Sequence, residues 1–422
     1  MRCVILLNAI LLPCLALAAD APPKAERQPV AAMEAGTQLT LDECVSIALL
    51  NHPGLAEASA RIDESRGAVV QSRLYPNPRI DSGNPQTIGP QRTGVYTVGL
   101  TQEIVRGGKL RLDQAAAYEA SRQTEWDSVR RRFEILTDVR QEFFSLLAAQ
   151  RRLTFLEKQQ QLAKRSEKIV SDRLDGLQAA RVDLVSMRVE RRRVDVALQS
   201  AKFELKRSRR QLATTLGIAD SQIQSVTGDL MVAVPAFDDD QVLTEVIQNS
   251  PVVQIAKLDV SRTMFLLHRA EVEPIPNVTV QGGTQYSEST NNFQGLLGVY
   301  VNVPIWNKNQ GNIHSANAAV RRATAMRQVV EQNLTKQLTA AVTRFHEAEN
   351  TVTSYEDGII PDATEALNAV QAGFVGGQFD LTRLLQAQSS YFDANLDFVS
   401  ALQGRLNAAS EIAGLLQLEK FP

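Results

Sequence analysis

The sequence contains little cysteine, which excludes stabilisation by internal disulfide bonds. Of the three cysteines in its 422 residues, Cys3 and Cys14 lie within residues 1–18. This stretch has the features of a secretory signal: a basic start, an apolar run and a small-residue cleavage site. An uncleaved N-terminal anchor is the alternative. After cleavage only Cys44 would remain, so the exported chain should be stabilised by packing or by assembly.

Long apolar runs and an excess of one charge are also missing. Beyond residue 18, no segment approaches the roughly 18 uncharged apolar residues of a transmembrane helix. Lysine and arginine number 45 against 47 aspartates and glutamates, and this balance gives no indication of a nucleic-acid partner. Residues 19–38 are rich in proline, alanine and charge and are predicted to form a disordered lead-in. Three classes remain: periplasmic, secreted, or a β-barrel of an outer membrane.

Residue patterns that carry chemistry are absent from the sequence as well. The four histidines are far apart without an HxxxH motif, and CxxC, GxSxG and phosphate-loop motifs do not occur. The acidic run at residues 238–240 precedes a predicted helix and is interpreted as N-cap and first-turn charge rather than as a calcium site. The sequence therefore predicts a protein that is not an enzyme and has no cofactor and no resident metal.

The most informative feature that is present is an internal duplication. Two segments share the same order of features: a short helix, an Asn-x-Pro break, an amphipathic helix and a double proline. Residues 51–53 align with residues 249–251, and in each copy the proline begins a new helix, where its missing N–H costs nothing. We predict two repeats, residues 39–232 and 233–422.

The double prolines mark the points where each repeat changes from helix to strand. They are Pro76 and Pro78 in the first repeat and Pro274 and Pro276 in the second. A proline suits the first residue of a strand and disfavours helix in the residue before it. We predict that these four prolines separate helix from strand.

After each double proline, apolar residues alternate with small or polar ones. The alternation extends over about ten residues, the length and pattern of a strand that crosses a bilayer. We predict strand hairpins over residues 79–104 and 277–305, joined by polar loops at 83–94 and 287–294. Two soluble hairpins in a β-sandwich are the alternative.

The alternation assigns individual side chains to opposite faces of the strands. Val299 and Val301 are predicted to face lipid. Thr97, Thr101 and Asn302 are predicted to face a lumen.

Each strand hairpin continues into a long helical hairpin. Residues 109–217 and 312–418 show apolar residues at three- and four-residue steps, with glycine-containing turns near the middle. Gly217 is predicted to end the first hairpin, and Pro361 to kink the second. Because these helices are long and polar, they should pack side by side rather than around one globular core.

This order of elements resembles the TolC-like outer membrane factors. The motifs that carry the resemblance are PNP at 76–78, LTQEIVRGGK at 100–109, VNVPIWNKNQGN at 301–312, RLDGLQAARVDL at 173–184 and GFVGGQFDLTRLLQAQ at 373–388. PNP followed by a Gly-Gly-Lys element is most similar to the cobalt–zinc–cadmium branch of that family.

The resemblance implies a fold, a function and partners. The fold would be mainly α with a membrane β-barrel portion, in which a homotrimer pools four strands per chain into twelve and continues as a periplasmic helical tunnel. The function would be a passive exit duct in outer membrane lipid, docked to an inner-membrane RND-type pump through a periplasmic adaptor. A type I protein-secretion channel is one alternative, and a periplasmic coiled-coil scaffold is another. The cargo could be metal ions, drugs or a polypeptide.

The resemblance also assigns a docking role to the two turns of the helical hairpins. In the family these turns form the periplasmic mouth and meet the adaptor, which gives Arg173, Gly176, Leu177, Gly376 and Gly377 as docking residues.

The sequence departs from some relatives just before the second turn. Where those relatives carry acidic residues that form an anionic ring, this chain has Asn368 and Gln371, although Asp172 and Asp175 lie near the first turn. Cation selectivity at the mouth therefore does not follow from the resemblance.

Overall fold

The computed structural model describes residues 37–83, 94–234, 239–288 and 290–421. The predicted signal, most of the lead-in, the loop at 84–93 and Asp238 lie outside these ranges. Within them the chain forms nine α-helices: α1 (Leu41–Asn51), α2 (Pro53–Ser72), α3 (Lys109–Asp175), α4 (Arg181–Leu216), α5 (Asp239–Asn249), α6 (Pro251–Glu271), α7 (Gln310–Ser354), α8 (Ile360–Val375) and α9 (Leu381–Leu415). The described strands are β1 (Thr37–Leu39), β2 (Arg79–Gly83), β3 (Val95–Ile104), β4 (Ile223–Val226), β5 (Val278–Ser287) and β6 (Asn292–Val301).

The predicted duplication is visible in the order and length of the elements. Helices α1 and α5 have 11 residues each, α2 and α6 have 20 and 21, and α4 and α9 have 36 and 35. The single helix α3 has its counterpart in α7 and α8 together. Pro53 and Pro251 are the first residues of α2 and α6, as predicted from the Asn-x-Pro breaks.

The two long helices that leave the sheet begin in the same way. Gly108 and Asn309 precede α3 and α7, and both adopt left-handed backbone angles, with φ of 69° and 62°. The 67 residues of α3 extend over about 100 Å at 1.5 Å per residue. Gly217 ends α4 with φ of 72°, and a Cβ atom there would lie 2.9 Å from the Asn51 carbonyl oxygen, so this turn requires glycine.

The predicted kink near Pro361 is an interruption of the helical hydrogen-bond pattern. Residues Tyr355–Ile359 form a short π-helical segment between α7 and α8, and Pro361 follows in the first turn of α8. A proline cannot donate a backbone hydrogen bond, and a wider turn before it accommodates the missing donor.

The second strand hairpin is shorter than predicted at one end and longer at its turn. Strand β6 ends at Val301, not at residue 305, because its partner β5 begins at Val278 and Val278 pairs with Val301. Residues beyond Val301 have no partner for a ladder. Four residues that were predicted as loop lie in strands, Ser287 in β5 and Asn292, Phe293 and Gln294 in β6, since the connection is confined to residues 288–291.

A small parallel sheet was not predicted from the sequence. Strand β1 pairs with β4, and Leu39 and Ile223 are each 1% exposed. The pairing places Thr37 and Gln38 in a strand, although the lead-in was predicted to extend to residue 38. Strands of three and four residues give too little alternation to be recognised, and their pairing joins segments that are far apart in the sequence.

The apolar core is divided along the helices. One cluster around Leu338, Phe345 and Ile412 lies between α7 and α9. Another around Met187 and Phe374 lies close to the turns that follow α3 and α8. The helices thus pack side by side, as their polar composition predicts.

Candidate channel wall and docking tips

Four of the strands form one antiparallel sheet with two different faces. The order is β2–β3–β5–β6, and the central pairing, from Ile104 with Val278 to Val95 with Ser287, joins the two repeats. Since directly paired residues share a face, the register assigns every side chain of the sheet to one of two sides.

One face of the sheet is apolar and exposed. Tyr96, Val98 and Leu100 of β3 lie on it with Leu297 and Val299 of β6, which are 82% and 62% exposed. A monomeric soluble protein rarely leaves such a continuous apolar area in water. This side of the sheet therefore has the character of a surface that contacts lipid or protein.

The other face is polar and internally hydrogen-bonded. Thr101 donates to Asp81 at 2.6 Å, and Tyr300 donates to Gln281 at 3.0 Å. Thr97 lies on this face because it pairs with Gly83 and Gln285.

The structure places the residues that were assigned to faces as follows. Val299 and Val301 share the apolar face, because they pair with Val280 and Val278. Thr97 and Thr101 share the polar face. Asn302 lies one residue past β6, so it is not in a strand.

Aromatic side chains lie at the loop end of the apolar face and in the segments that join the strands to the helices. At the loop end, Tyr286 packs against Tyr96 and Phe293, with ring centroids 6.4 and 4.9 Å apart. At the helix end, Tyr75 and Trp306 are 62% and 86% exposed. Tyrosine and tryptophan concentrate at the two water interfaces of membrane strands, where an apolar ring and a polar tip are both accommodated.

A polar network fixes the junction between strands and helices. The Asn277 side-chain oxygen accepts hydrogen bonds from the Arg106 backbone N–H and the Lys109 ammonium, both at 3.2 Å, and its amide donates to Glu103 at 2.7 Å. Buried Lys109 also lies 3.6 Å from Glu273. This network joins the two repeats where the double prolines predict the change from helix to strand.

The same junction contains a polar cavity of about 770 Å³. Asn302 lines this cavity together with Tyr300, Glu103 and Thr279 of the polar face. Asn302 thus lies next to the polar face, although no strand carries it there.

The helices follow the same lateral order as the strands. Close to the sheet, the spatial order of the helices is α2, α3, α6 and α7. Farther from the sheet, the order is α4, α3, α9 and then α7 with α8. One edge of the chain therefore consists of β2, α2 and α4, and the other of β6, α7 and α8. In the described part of the chain, neither edge has a further long helix or strand against it.

The two hairpin turns, here called the tips, are closed by the same backbone hydrogen bond. In tip 1, the N–H of Gln178 donates to the Arg173 carbonyl, and in tip 2 the N–H of Gln378 donates to the Gly373 carbonyl, both at 2.8 Å. This pattern needs a left-handed residue after the helix. Gly377 supplies it in tip 2 with φ of 80°, whereas Leu177 supplies it in tip 1 with φ of 58°.

Leu177 is unusual in two respects. It has a backbone conformation that disfavours side chains, and its own side chain is 93% exposed. Gly176 and Gly376 cap the preceding helices with ordinary negative φ. Neither the backbone strain nor the exposure stabilises the turn, so the turn itself gives no reason for a leucine at this position.

Arg173 holds the two tips together. Its guanidinium donates to the Val375 carbonyl at 3.0 Å and to the Phe374 carbonyl, and it lies 4.5 Å from the centre of the Phe374 ring. One nitrogen of the guanidinium makes both hydrogen bonds, which connect the end of α3 to the end of α8. Sequence analysis did not predict this contact, which joins the two repeats.

Among the described residues, no helix combines the length and apolar character needed to cross a membrane. The model of the outer membrane efflux protein family matches the chain twice, over residues 44–218 and 242–416. The chain belongs to the outer membrane efflux protein family. The starts of the two matches are separated by the same interval as Pro53 and Pro251, and together the matches cover most of the chain.

Two curated relatives are similar to this efflux protein over most of their length. The cobalt-zinc-cadmium resistance protein CzcC of Cupriavidus metallidurans is 27% identical over 388 residues, which cover 92% of each chain. The outer membrane protein TolC of Vibrio cholerae is 24% identical over 386 residues, or 86% of each chain.

Solved structures show the same fold. CusC, whose structures concern folding and transmembrane channel formation, has a TM-score of 0.78 at 16% identity, with 89% of this chain and 91% of that chain covered. VceC of Vibrio cholerae has a TM-score of 0.75 at 16% identity, with 89% and 95% covered. The efflux protein is thus a mainly helical outer membrane protein of a family of channels, not of enzymes.

Proposed function

We propose that three copies of this chain form the outer membrane channel of a tripartite efflux system, which serves as a passive exit duct. The observation that carries the proposal is the shared lateral order of strands and helices. Each chain would form one third of a ring, here called a sector, with two uncovered edges. Rotation of a copy about the ring axis brings β6, α7 and α8 of one sector against β2, α2 and α4 of the next.

Closure into a ring accounts for both faces of the sheet. Four strands are too few for a membrane barrel, for which eight is the usual minimum, and three chains supply twelve. In such a ring the apolar face with Val299 would contact lipid, and the polar face with Thr97 and Thr101 would line the lumen. Closure also removes the unpaired edges of β2 and β6, which would otherwise invite aggregation.

The tips are proposed to dock the periplasmic adaptor. They lie at the ends of the long helices that are farthest from the sheet, and channels of this family work with adaptor and inner-membrane pump partners. Leu177 would insert into a groove of the adaptor, while Gly176, Gly376 and Gly377 would allow its backbone to approach closely. Arg173 would keep the two tips in register. The pump is proposed to be of the RND type.

The cargo is proposed to be divalent metal cations. The support is the similarity to CzcC, a cobalt-zinc-cadmium resistance protein, over 92% of both chains. A passive duct needs no metal-binding centre, so the proposal requires only that cations pass.

Metal sensitivity of a deletion strain tests this function. We expect loss of the gene to lower the tolerated concentrations of zinc, cobalt or cadmium, and the wild-type gene to restore them. An unchanged metal tolerance together with increased sensitivity to organic antibiotics would reject the metal cargo but keep the duct. Unchanged sensitivity to both classes, with intact secretion of polypeptides, would reject export as the function.

A further inference from the structure

The outer edge of α4 presents a regular apolar stripe that nothing in the described chain covers. Val182, Val185, Val189, Val196 and Phe203 are each between 46% and 72% exposed and recur at intervals of three, four or seven residues. The buried residues Leu184, Met187, Val194 and Leu198, which face α3, fall on the opposite side of the helix at 100° per residue. The stripe therefore faces away from α3, at the open edge of the sector.

The helix that carries this stripe is also strongly basic, although Arg188 and Arg191 pair with Glu167 of α3. The helix contains ten lysines and arginines against four aspartates and glutamates. Arg192 and Arg207 continue the spacing of the stripe, and no carboxylate of the described residues lies within ion-pair distance of Arg192. A helix that is apolar along one seam and basic beside it is suited to a partner helix that carries negative charge.

The opposite edge of the sector has the complementary properties. Residues 347–375 contain six carboxylates and neither lysine nor arginine. Glu347, Ser354, Gly358, Asp362 and Ala369 recur at helical spacing on the side of α7 and α8 that faces away from α9, since Phe345, Val352, Leu367 and Phe374 are buried on the other side. Except for the carboxylates, this side carries small residues, which leaves room for the apolar stripe of α4.

The heights of the two edges also match when they are counted in helical turns from the tips. Arg192 lies about three turns above the start of α4, and Asp362 lies between about three and four turns above the end of α8. Val196 and Gly358 both lie between about four and five turns above their tips, and Arg207 and Glu347 both lie between about seven and eight. Copies related by rotation about one axis keep the same height, so these pairs would meet.

We propose that the basic apolar edge of α4 docks on the acidic small-residue edge formed by residues 347–369 of a second copy of this chain, with Arg192 opposite Asp362 and Val196 opposite Gly358. The inference rests on the proposed trimeric channel and adds which residues meet between copies and which sign of charge each side carries. Opposite edges attract, whereas two copies of the same edge repel, so the charge pattern selects a head-to-tail ring.

Disulfide cross-linking of the purified protein tests this seam without any adaptor present. A chain with Val196→Cys and Gly358→Cys should form covalent trimers on oxidation, and a Cβ at Gly358 has nothing within 4 Å in the isolated chain. Cys44 will not compete, because burial raises the pKa of its thiol to about 12. The control combines Val196→Cys with Ala325→Cys, an exposed position of α7 that lies about nine helical turns from Gly358, and should remain uncrosslinked.

Charge reversal tests the electrostatic part. Asp362→Arg alone or Arg192→Asp alone should each lower the rate of cross-linking by about tenfold, because like charges then meet, and the two changes together should restore it. If trimers form in solution without a Val196–Gly358 link, or if the double reversal does not restore the link, the proposed pairing between copies is rejected. The proposed trimeric channel would then still stand. Absence of trimers under all conditions would overturn the seam and the proposed function together.

Discussion

At the residue scale, single side chains define the two turns and the starts of the helices. The equivalent position of the tips is glycine in one repeat and leucine in the other, although the same backbone hydrogen bond closes both turns. At the start of α2, the His52 ring accepts a hydrogen bond from the Gly54 backbone N–H at 3.0 Å through Nδ1. Leu177 and His52 each lead to a test: for Leu177, whether it acts in the turn or in docking, and for His52, whether its titration affects stability.

We expect Leu177→Gly to keep the turn and lose docking. Glycine adopts a φ of 58° without strain, so the free energy of unfolding should rise by up to about 1 kcal/mol, while the exposed apolar anchor disappears. Leu177→Asp and Gly377→Glu should abolish export and adaptor pull-down without loss of trimers or of conductance in planar bilayers. Normal adaptor binding by all three variants would show that the tips are turns only.

His52 should make the stability of this helix start depend on pH. Burial lowers the pKa of His52, positive Arg131 lowers it further, and Asp138 acts in the opposite direction. Because the folded state prefers the neutral ring, the stabilisation is complete above the unfolded pKa of about 6.5 and is lost as the pH falls from there through the folded pKa.

The matched variant for His52 is His52→Asn, which keeps a capping acceptor but cannot be protonated near neutral pH. We expect the wild-type protein to lose apparent Tm between pH 7.5 and 5.5 relative to this variant. His52→Ala should be about 1 kcal/mol less stable than His52→Asn at every pH, because neither of these side chains titrates in this range. A difference between wild type and His52→Asn that does not change with pH would exclude titration of His52 as the cause.

At the element scale, the strands are defined by their two faces and the helices by the sides they leave uncovered. In β3 the exposed apolar side chains alternate with threonine, glycine and glutamate, and the register with β5 extends that division across the sheet. A substitution on one face should therefore have a different effect from the same substitution on the other.

Arginine introduced on the two faces provides this test. Val299→Arg places a charge on the apolar face and should cost about 2–4 kcal/mol of stability near the middle of a membrane. Thr101→Arg places it on the polar face beside Asp81, so folding should be kept and the conductance or ion selectivity should change. Stability would be measured by unfolding in lipid vesicles, and conductance in planar bilayers. Equal destabilisation by both variants would contradict the assignment of faces.

At the scale of the whole molecule, the described part of one chain has two edges that no other element of that chain covers. Its strands and helices end at two open edges that have opposite charge along the helical part. Chemical cross-linking in detergent should give dimers and trimers and no larger species, because a ring of three leaves no free edge. A ladder that continues beyond three, or a monodisperse folded monomer, would contradict ring closure.

The sequence by itself determined the duplication, the types of the elements and the faces of the strands. These are properties of local pattern: prolines that exclude helix, apolar residues at a period of two or of 3.6, and glycines where the backbone turns. The start of α3, the end of α4 and the role of Gly217 could be predicted in this way.

Only the tertiary structure decided what depends on contacts between distant residues. The end of β6 at Val301 is set by the start of its partner, and the short pair β1–β4 exists because it joins segments that are far apart in the sequence. The contact of Arg173 with Phe374 and Val375, the network around Asn277 and the order of the helices likewise join the two repeats. Local patterns carry no information about which distant segment becomes the neighbour, because that choice follows from the packing of the whole chain.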